Sequence, residues 1–241
     1  MGPYEAVTAY PAGESTAARF ALSAADLGYS GVVVRNAAEA ILDGERPSRE
    51  TIADEYGIDV VDGIEVRERD RSAASARITA VRDDRTLVLV RGSRDLNRFA
   101  CEEPRVDVLS RPMADGDVNH VLARAAKRNG VRFEFDLGRV CRLHGGRRVQ
   151  ALADLRKLRE IVFQYDAPYV VSATPDSHLE LRAPRDLYAL GEVIGFGREA
   201  IEAGLAEWGR LVGRNREVMS ESFIEPGVRR GRYEEDHRGT R

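Results

Sequence analysis

Seven short runs of apolar and β-branched residues divide the chain into repeating units. The runs are YEAVTAY from Tyr4, GVVVRN from Gly31, DVVDGIEV from Asp59, TLVLVRG from Thr86, VDVLS from Val106, VRFEFDL from Val131 and YVVSA from Tyr169. Their starts lie 20 to 38 residues apart, which leaves room for a helix between most neighbouring runs. Nearly continuous apolar strands that alternate with helices are typical of a parallel sheet buried on both faces. The pattern therefore predicts an α/β fold.

The intervals between the runs carry helical patterning and helix stop signals. In STAARFALSAADLG, apolar side chains recur on one helical face, and Ser15 is suited to cap the helix start. Gly28, Gly57 and Gly130 each stand where a helix would end before the next strand. Glycine takes the left-handed backbone conformation at such a stop without a steric penalty. The recurrence of this exit supports each helix in turn.

Strand–helix units of this number fit a TIM-barrel-like (β/α) barrel better than an open sheet. After the seventh strand the chain stays helical, with no clear eighth strand between Arg185 and Asn215. We therefore expect about seven parallel strands and extra C-terminal helices, and the sequence leaves open whether the barrel closes. The segment VCRLHGGRR, from Val140 to Arg148, is predicted to be an exposed loop.

The predicted domain organisation is one barrel over residues 1–226 and a charged tail over residues 227–241. The tail sequence, GVRRGRYEEDHRGTR, has mixed charge and one aromatic residue. Such a segment buries too little apolar surface to offset the entropy lost on ordering. We expect it to be disordered.

The charge balance and the cysteines narrow the class of protein. A net charge of −3 argues against a uniformly basic nucleic-acid binder, although it permits a local basic patch. Charged residues interrupt every apolar run before it could span a bilayer, and the N-terminus lacks the pattern of a secretory signal. Cys101 and Cys141 form no CxxC pair, so neither a disulfide framework nor a cysteine-rich zinc site is indicated. We expect a cytoplasmic protein with no membrane partner.

Enzyme chemistry has little support in the residues at the strand ends. The four histidines are scattered and form no HxH pair, although a hydrolytic metal site needs convergent ligands. Glu65, Glu134 and Asp136 do lie at strand ends, which keeps a metal-dependent phosphoesterase of the barrel class as an alternative. Pairing of these carboxylates with neighbouring arginines is the favoured interpretation.

Arginine is the residue type that recurs where the strands end. Closure of a barrel would gather these side chains at one rim, where their planar donors could contact phosphates. A single surface arginine is more often merely solvated or ion-paired, so only the set is informative. The residues concerned are Arg35 with Asn36, Arg91, Arg94, Arg111, Arg182 and Arg185.

Two longer stretches, VDVLSRPMADGDVNHVLARAAKRNGVRFEFDL and VVSATPDSHLELRAPRDLYALG, resemble the archaeal ribonuclease P protein component 3 family. The resemblance runs from Tyr4 to about Val218. It implies a seven-stranded barrel and a noncatalytic subunit of the particle that removes the 5′ leader from precursor tRNA. The expected partners are ribonuclease P RNA, a small ferredoxin-like protein subunit and precursor tRNA. The RNA is expected to carry out the chemistry with Mg²⁺, and the protein itself to bind no cofactor.

The resemblance also carries site residues over by position. The basic residue before the HxLA helix corresponds to Arg111, the helix histidine to His120, and the basic pair at the helix end to Lys127 and Arg128. The arginine and acid of the later helix start correspond to Arg182 and Asp186. We predict that these residues, with Arg91 and Arg185 from the rim, contact RNA or the partner protein, a choice that the sequence does not make. Two alternative roles remain open. His120 could serve the packing of its helix against the barrel, and Lys127 and Arg128 could stabilise the negative C-terminal end of the helix dipole.

Overall fold

The computed structural model describes residues 2–37 and 48–220, together with two short strands beyond them. Its strands begin within two residues of the seven predicted runs. They are β1 Tyr4–Val7, β2 Gly31–Val34, β3 Asp59–Val66, β4 Leu87–Arg91, β5 Val108–Ser110, β6 Arg132–Asp136 and β7 Tyr169–Ser172. A further antiparallel pair follows, β8 Phe223–Glu225 and β9 Val228–Arg229.

Helices separate the strands as predicted. They are α1 Ala17–Asp26, α2 Arg49–Tyr56, α3 Arg71–Val81, α4 Asn97–Glu102, α5 His120–Asn129, α6 Gly138–Arg142, α7 Gly145–Gln164, α8 Pro184–Ile194 and α9 Arg198–Val218. Gly57 and Gly130 end α2 and α5 in the left-handed conformation, as predicted. The cap of α1 is Thr16, which accepts a hydrogen bond from the Arg19 N–H, and not Ser15.

One prediction about local structure is wrong. The segment from Val140 to Arg148 is not a loop, because most of it belongs to α6 and to the start of α7. Gly145 at the start of α7 has a φ of 55°, so the Gly-Gly pair allows the chain to turn from α6 into α7. The interval between β6 and β7 is the longest between two neighbouring strands because it contains two helices, α6 and α7.

The seven strands pair in sequence order, all of them parallel, from β1 to β7. This curled sheet is a nearly closed barrel with one seam, between β7 and β1. Small and branched side chains fill the interior, and a second apolar layer packs between the strands and the surrounding helices. The interior side chains are Ala6, Val33, Val61, Leu87, Leu89, Val108 and Val170.

The first half of helix α9 packs in the seam, where an eighth strand would lie. Its second half crosses the end of the barrel where the strands begin, and the Asn215 amide there donates to the Thr86 carbonyl and to Asp107, each at 2.8 Å. The indole N–H of Trp208 donates to the carbonyl of Val171 on β7, at 2.9 Å, and the ring is fully buried with the barrel interior. A Cβ at Gly204 would lie 2.4 Å from the Val171 side chain, so only glycine allows the helix to approach this closely. The missing strand is therefore replaced by a helix.

Glu5 on β1 bridges the same seam to the carboxyl end of β7. One carboxylate oxygen accepts hydrogen bonds from the Ser172 hydroxyl and from the Ala173 N–H, the latter at 2.9 Å. The other oxygen accepts from the Tyr29 hydroxyl at 3.3 Å. Because Glu5 is completely buried, desolvation raises its pKa from 4.5 to about 7, although the hydrogen bonds oppose this shift.

The predicted disordered tail lies outside the described residues except for Val228–Arg229, and the predicted domain limits stay a prediction. Cys101 is buried, Cys141 is half-buried, and both are free thiols. Among the described helices, none has the length and apolarity required to cross a bilayer.

Candidate nucleic-acid interface

The carboxyl ends of the strands form a charged mouth at one end of the barrel. Arg35 follows β2 and is only 2% exposed, and it pairs with Glu65 on β3 and Glu134 on β6. Ser110 donates a further hydrogen bond to Glu65 at 2.7 Å. The prediction that Arg35 lies on the exposed rim is wrong, because its guanidinium lies within the barrel between two carboxylates.

Burial and pairing set the ionisation of this cluster. Burial opposes the charged form of Glu65, but Arg35 and Arg67 outweigh it and hold the pKa of Glu65 well below its usual range. Burial also opposes the charge on Arg35, and Glu134 and Glu65 nevertheless raise its pKa above the usual value. For Glu134 burial dominates, and its pKa is raised. The cluster is held together by one fully buried cation.

Arg111 and Asp136 form a second pair beside the first. The Nε of Arg111 lies 3.1 Å from Asp136 Oδ2, although the two are not aligned for a hydrogen bond. Thr174 donates to the other Asp136 oxygen at 2.8 Å and accepts from Arg111. Arg111 and Thr174 both have φ between 45° and 48°, a strained conformation for such residues. Together, Arg111, Asp136 and Thr174 hold the loop after β5 against the end of β6 and the loop after β7.

The remaining rim arginines differ in how firmly they are held. Arg91 is half-buried, 3.9 Å from Glu65, and burial lowers its pKa. Arg94 is exposed. Asn36 is buried and accepts a hydrogen bond from the Ala9 N–H at 2.8 Å, so it joins the ends of β1 and β2. Of this group, Arg94 alone presents a fully exposed side chain.

The start of α8 lies at the same end of the barrel. Pro184 occupies the first turn and Asp186 is the acid of that turn, and both residue types suit the start of a helix. Arg182, Arg185 and Asp186 are exposed. The Arg182 guanidinium donates to the carbonyl of Leu181 at 3.0 Å, so it folds back on its own loop.

The other predicted residues lie on α5. His120 is exposed at the helix start, and Lys127 and Arg128 are exposed in its last turn. Lys127 pairs with Asp166 at 2.9 Å. Since α5 runs from the end of β5 back to the start of β6, its last turn lies at the end of the barrel opposite the mouth. The predicted site residues therefore do not form one cluster.

Several residues at these places were missed from the sequence. Arg142 on α6 donates to the carbonyl of Ala173 at 2.9 Å, and Arg67 pairs with Glu65. Glu5 lies in the first strand, within a run that the sequence analysis treats as apolar. None has a motif that identifies it. Arg142 and Glu5 act through residues distant in sequence, whereas Arg67 pairs with Glu65 two residues away.

The mouth does not have the arrangement of a hydrolytic metal site. Glu65, Glu134 and Asp136 all face guanidinium groups, as the sequence analysis favours. In residues 2–37 and 48–220, no group of three or more His, Cys, Asp or Glu is placed to hold a metal ion. The geometry thus supports a structural cluster at the mouth.

Sequence comparison supplies the family. The profile described as RNase P subunit p30 matches residues 4–220. The chain belongs to this family. A relative from Halorubrum lacusprofundi, named ribonuclease P protein component 3, is 57% identical and aligns over 97% of this chain and 99% of its own length. A protein of the same name from Methanosarcina acetivorans is 33% identical, over 92% of each chain.

Solved structures agree on the fold of this RNase P subunit p30 family member. A chain in a cryo-EM structure of archaeal ribonuclease P with mature tRNA superposes with a TM-score of 0.83, at 19% identity, over 97% of this chain and all of that chain. A mutant organophosphorus hydrolase reaches only 0.55 at 14% identity, over 88% and 93%. Both likenesses concern the fold alone, so the second gives the phosphoesterase alternative no support beyond a shared architecture.

Proposed function

We propose that this chain is a noncatalytic protein subunit of ribonuclease P, which removes the 5′ leader from precursor tRNA. The observation that carries the proposal is the family match over residues 4–220, reinforced by relatives named for this role along almost their whole length. The barrel mouth is consistent with it, since the buried carboxylates there are occupied by arginines.

The same proposal covers the partners. We assign the chemistry to the RNA with Mg²⁺, and we assign to this protein the binding and stabilisation of the catalytic RNA domain. A small ferredoxin-like subunit would share that task, as the family resemblance implies. A cytoplasmic location is part of the proposal.

Reconstitution tests this function directly. Ribonuclease P RNA, precursor tRNA and the partner subunits are assembled with and without this chain, and the cleavage rate is measured across a Mg²⁺ titration. We expect omission to lower the rate or to raise the Mg²⁺ requirement, and the isolated chain to cleave nothing. If omission changes neither quantity, the proposed function is wrong.

A further inference from the structure

The positive charge of this acidic chain is concentrated on one part of it. The segment from His120 to Asp166 contains eleven Lys and Arg against five Asp and Glu, although the whole chain has a net charge of −3. The segment also holds both lysines of the chain, Lys127 and Lys157. The other residues are therefore strongly acidic on balance.

Two helices of this segment lie side by side on the outside of the barrel. Lys127 at the end of α5 contacts Asp166 after α7 at 2.9 Å, and Lys157 on α7 contacts Asp117 before α5 at 2.8 Å. Between these pairs the Arg124 guanidinium lies 5.2 Å from the centre of the Tyr165 ring. We call this surface the α5–α7 face; its basic residues are His120, Arg124, Lys127, Arg128, Arg156 and Lys157.

Most of the guanidinium groups on this face are uncommitted. Three of its arginines are exposed and form no ion pair with any residue in the described part of the chain; these are Arg124, Arg128 and Arg156. The two lysines have carboxylate partners, but both pairs are exposed at the surface. Exposed pairs of this kind contribute little to stability, so a phosphate could replace the carboxylate at little cost.

The face fits a polyanion better than a protein partner. Protein interfaces have an apolar centre surrounded by polar groups, whereas the large exposed apolar side chains described on α5 and α7 are only Val121, Val149 and Phe163. The acids at the surface here, Asp117, Glu160 and Asp166, are outnumbered by the basic groups. Arginine binds phosphate through paired, planar donors, and contacts to phosphate fix the register of a protein on nucleic acid.

We propose that the α5–α7 face is the surface through which this chain binds the phosphodiester backbone of RNA. The inference rests on the proposed function, and it names a different place from the barrel mouth. There Arg35 and Arg111 are engaged by Glu65, Glu134 and Asp136, so those guanidiniums are not available to phosphate without leaving buried carboxylates unpaired.

The test compares two sets of three charge-removing substitutions. The face variant carries Arg124→Gln, Arg128→Gln and Arg156→Gln. Its matched control carries Arg19→Gln, Arg69→Gln and Arg214→Gln, three arginines that are also exposed and lack an ion pair with a described residue. Each labelled full-length chain is titrated into a ribonuclease P particle assembled without it, at several KCl concentrations, and thermal unfolding confirms that both variants fold.

We expect the face variant to bind at least about tenfold more weakly than the parent at low salt. The slope of log affinity against log salt concentration should decrease in magnitude by about two to three, because fewer counterions are released when phosphate contacts are lost. The control should change affinity by less than about threefold, as non-specific attraction alone would predict. The inference is wrong if the two variants behave alike, or if the face variant loses affinity without a change in the salt dependence.

A third variant and the omission experiment separate the possible failures. The third variant, Arg182→Gln with Arg185→Gln, removes two exposed arginines at the mouth. If this mouth variant loses salt-dependent binding and the face variant does not, the inference is wrong. If omitting the chain impairs cleavage while the face variant matches its control, the inference fails and the proposed function stands. If omission has no effect on cleavage, the proposed function itself fails.

Discussion

The barrel mouth and the α5–α7 face contain the same residue type in two different physical states. At the mouth, Arg35 is buried between Glu65 and Glu134 and is needed to neutralise them. On the face, Arg124 and Arg128 extend into solvent and have no described ion-pair partner. A buried guanidinium must keep its partners because an unpaired buried charge is costly, whereas an exposed one can exchange water for phosphate. The position of an arginine at a strand end therefore does not make it a ligand-binding residue.

The largest expected effect comes from removing the buried cation. Arg35→Met should lower the free energy of unfolding by about 3–5 kcal/mol at neutral pH, because Glu134 is left buried without a counter-charge. The loss should shrink as the pH is lowered, because burial raises the pKa of Glu134 and favours its protonated, uncharged form. Urea unfolding of Arg35→Met and of Arg128→Gln would show the contrast.

Adding Glu134→Gln to Arg35→Met sharpens this test, since the second substitution removes the unpaired charge and should recover part of the stability. A free energy of unfolding for Arg35→Met within about 0.5 kcal/mol of the parent would mean that the mouth cluster is no more essential than a surface pair.

Glu5 gives the next largest effect, and it depends on pH. Its pKa is raised to about 7 in the folded state from an ordinary value of 4.5, so its contribution is fully present below about pH 4.5 and is lost as the pH rises towards 7. Glu5→Gln keeps an acceptor for Ser172 and Ala173 without the charge. The parent protein should therefore lose on the order of 2–3 kcal/mol relative to this variant between pH 4.5 and 7.

Paired unfolding curves of the parent and Glu5→Gln across that pH range provide the measurement. Taking the difference between them removes the contribution of other carboxyl groups, including Glu134. A difference that stays constant with pH would show that the pKa of Glu5 is the same in the folded and the unfolded chain.

An intermediate effect is expected for Arg111, which is partly buried and paired with Asp136. Arg111→Gln should cost about 1–2 kcal/mol of stability, since Asp136 keeps its hydrogen bonds from Thr174 and Gly138. Thermal unfolding measures this cost. A loss as large as that of Arg35→Met would place Arg111 in the same essential cluster.

The smallest effect on stability is expected on the face. Lys127→Gln breaks an exposed pair with Asp166 and should leave the free energy of unfolding almost unchanged. In the binding titration described above, the same substitution should still weaken RNA association. A stability loss above about 1 kcal/mol would indicate that the α5–α7 face serves mainly to hold the two helices together.

Much of the fold follows from local pattern. Each of the seven apolar runs contains a strand, and Gly57 and Gly130 end their helices, because strand burial and the left-handed helix stop are properties of nearby residues. The loop predicted from Val140 to Arg148 failed, since its glycine pair and charged residues resemble a turn while the flanking segments pack as helices. The pairing of strand-end carboxylates with arginines was predicted as a type of contact, but the particular partners were not.

The sequence by itself determined the order of strands and helices, the family resemblance and the excess of charge in one segment. Tertiary structure alone decided that Arg35 is buried while Arg128 is exposed without a described ion-pair partner, that α9 packs into the seam and that Glu5 bridges it. The physical reason is that the state of a charged side chain depends on desolvation and on partners brought together from distant segments. Periodicity along the chain records which face of an element is apolar, but not which charge will lie opposite.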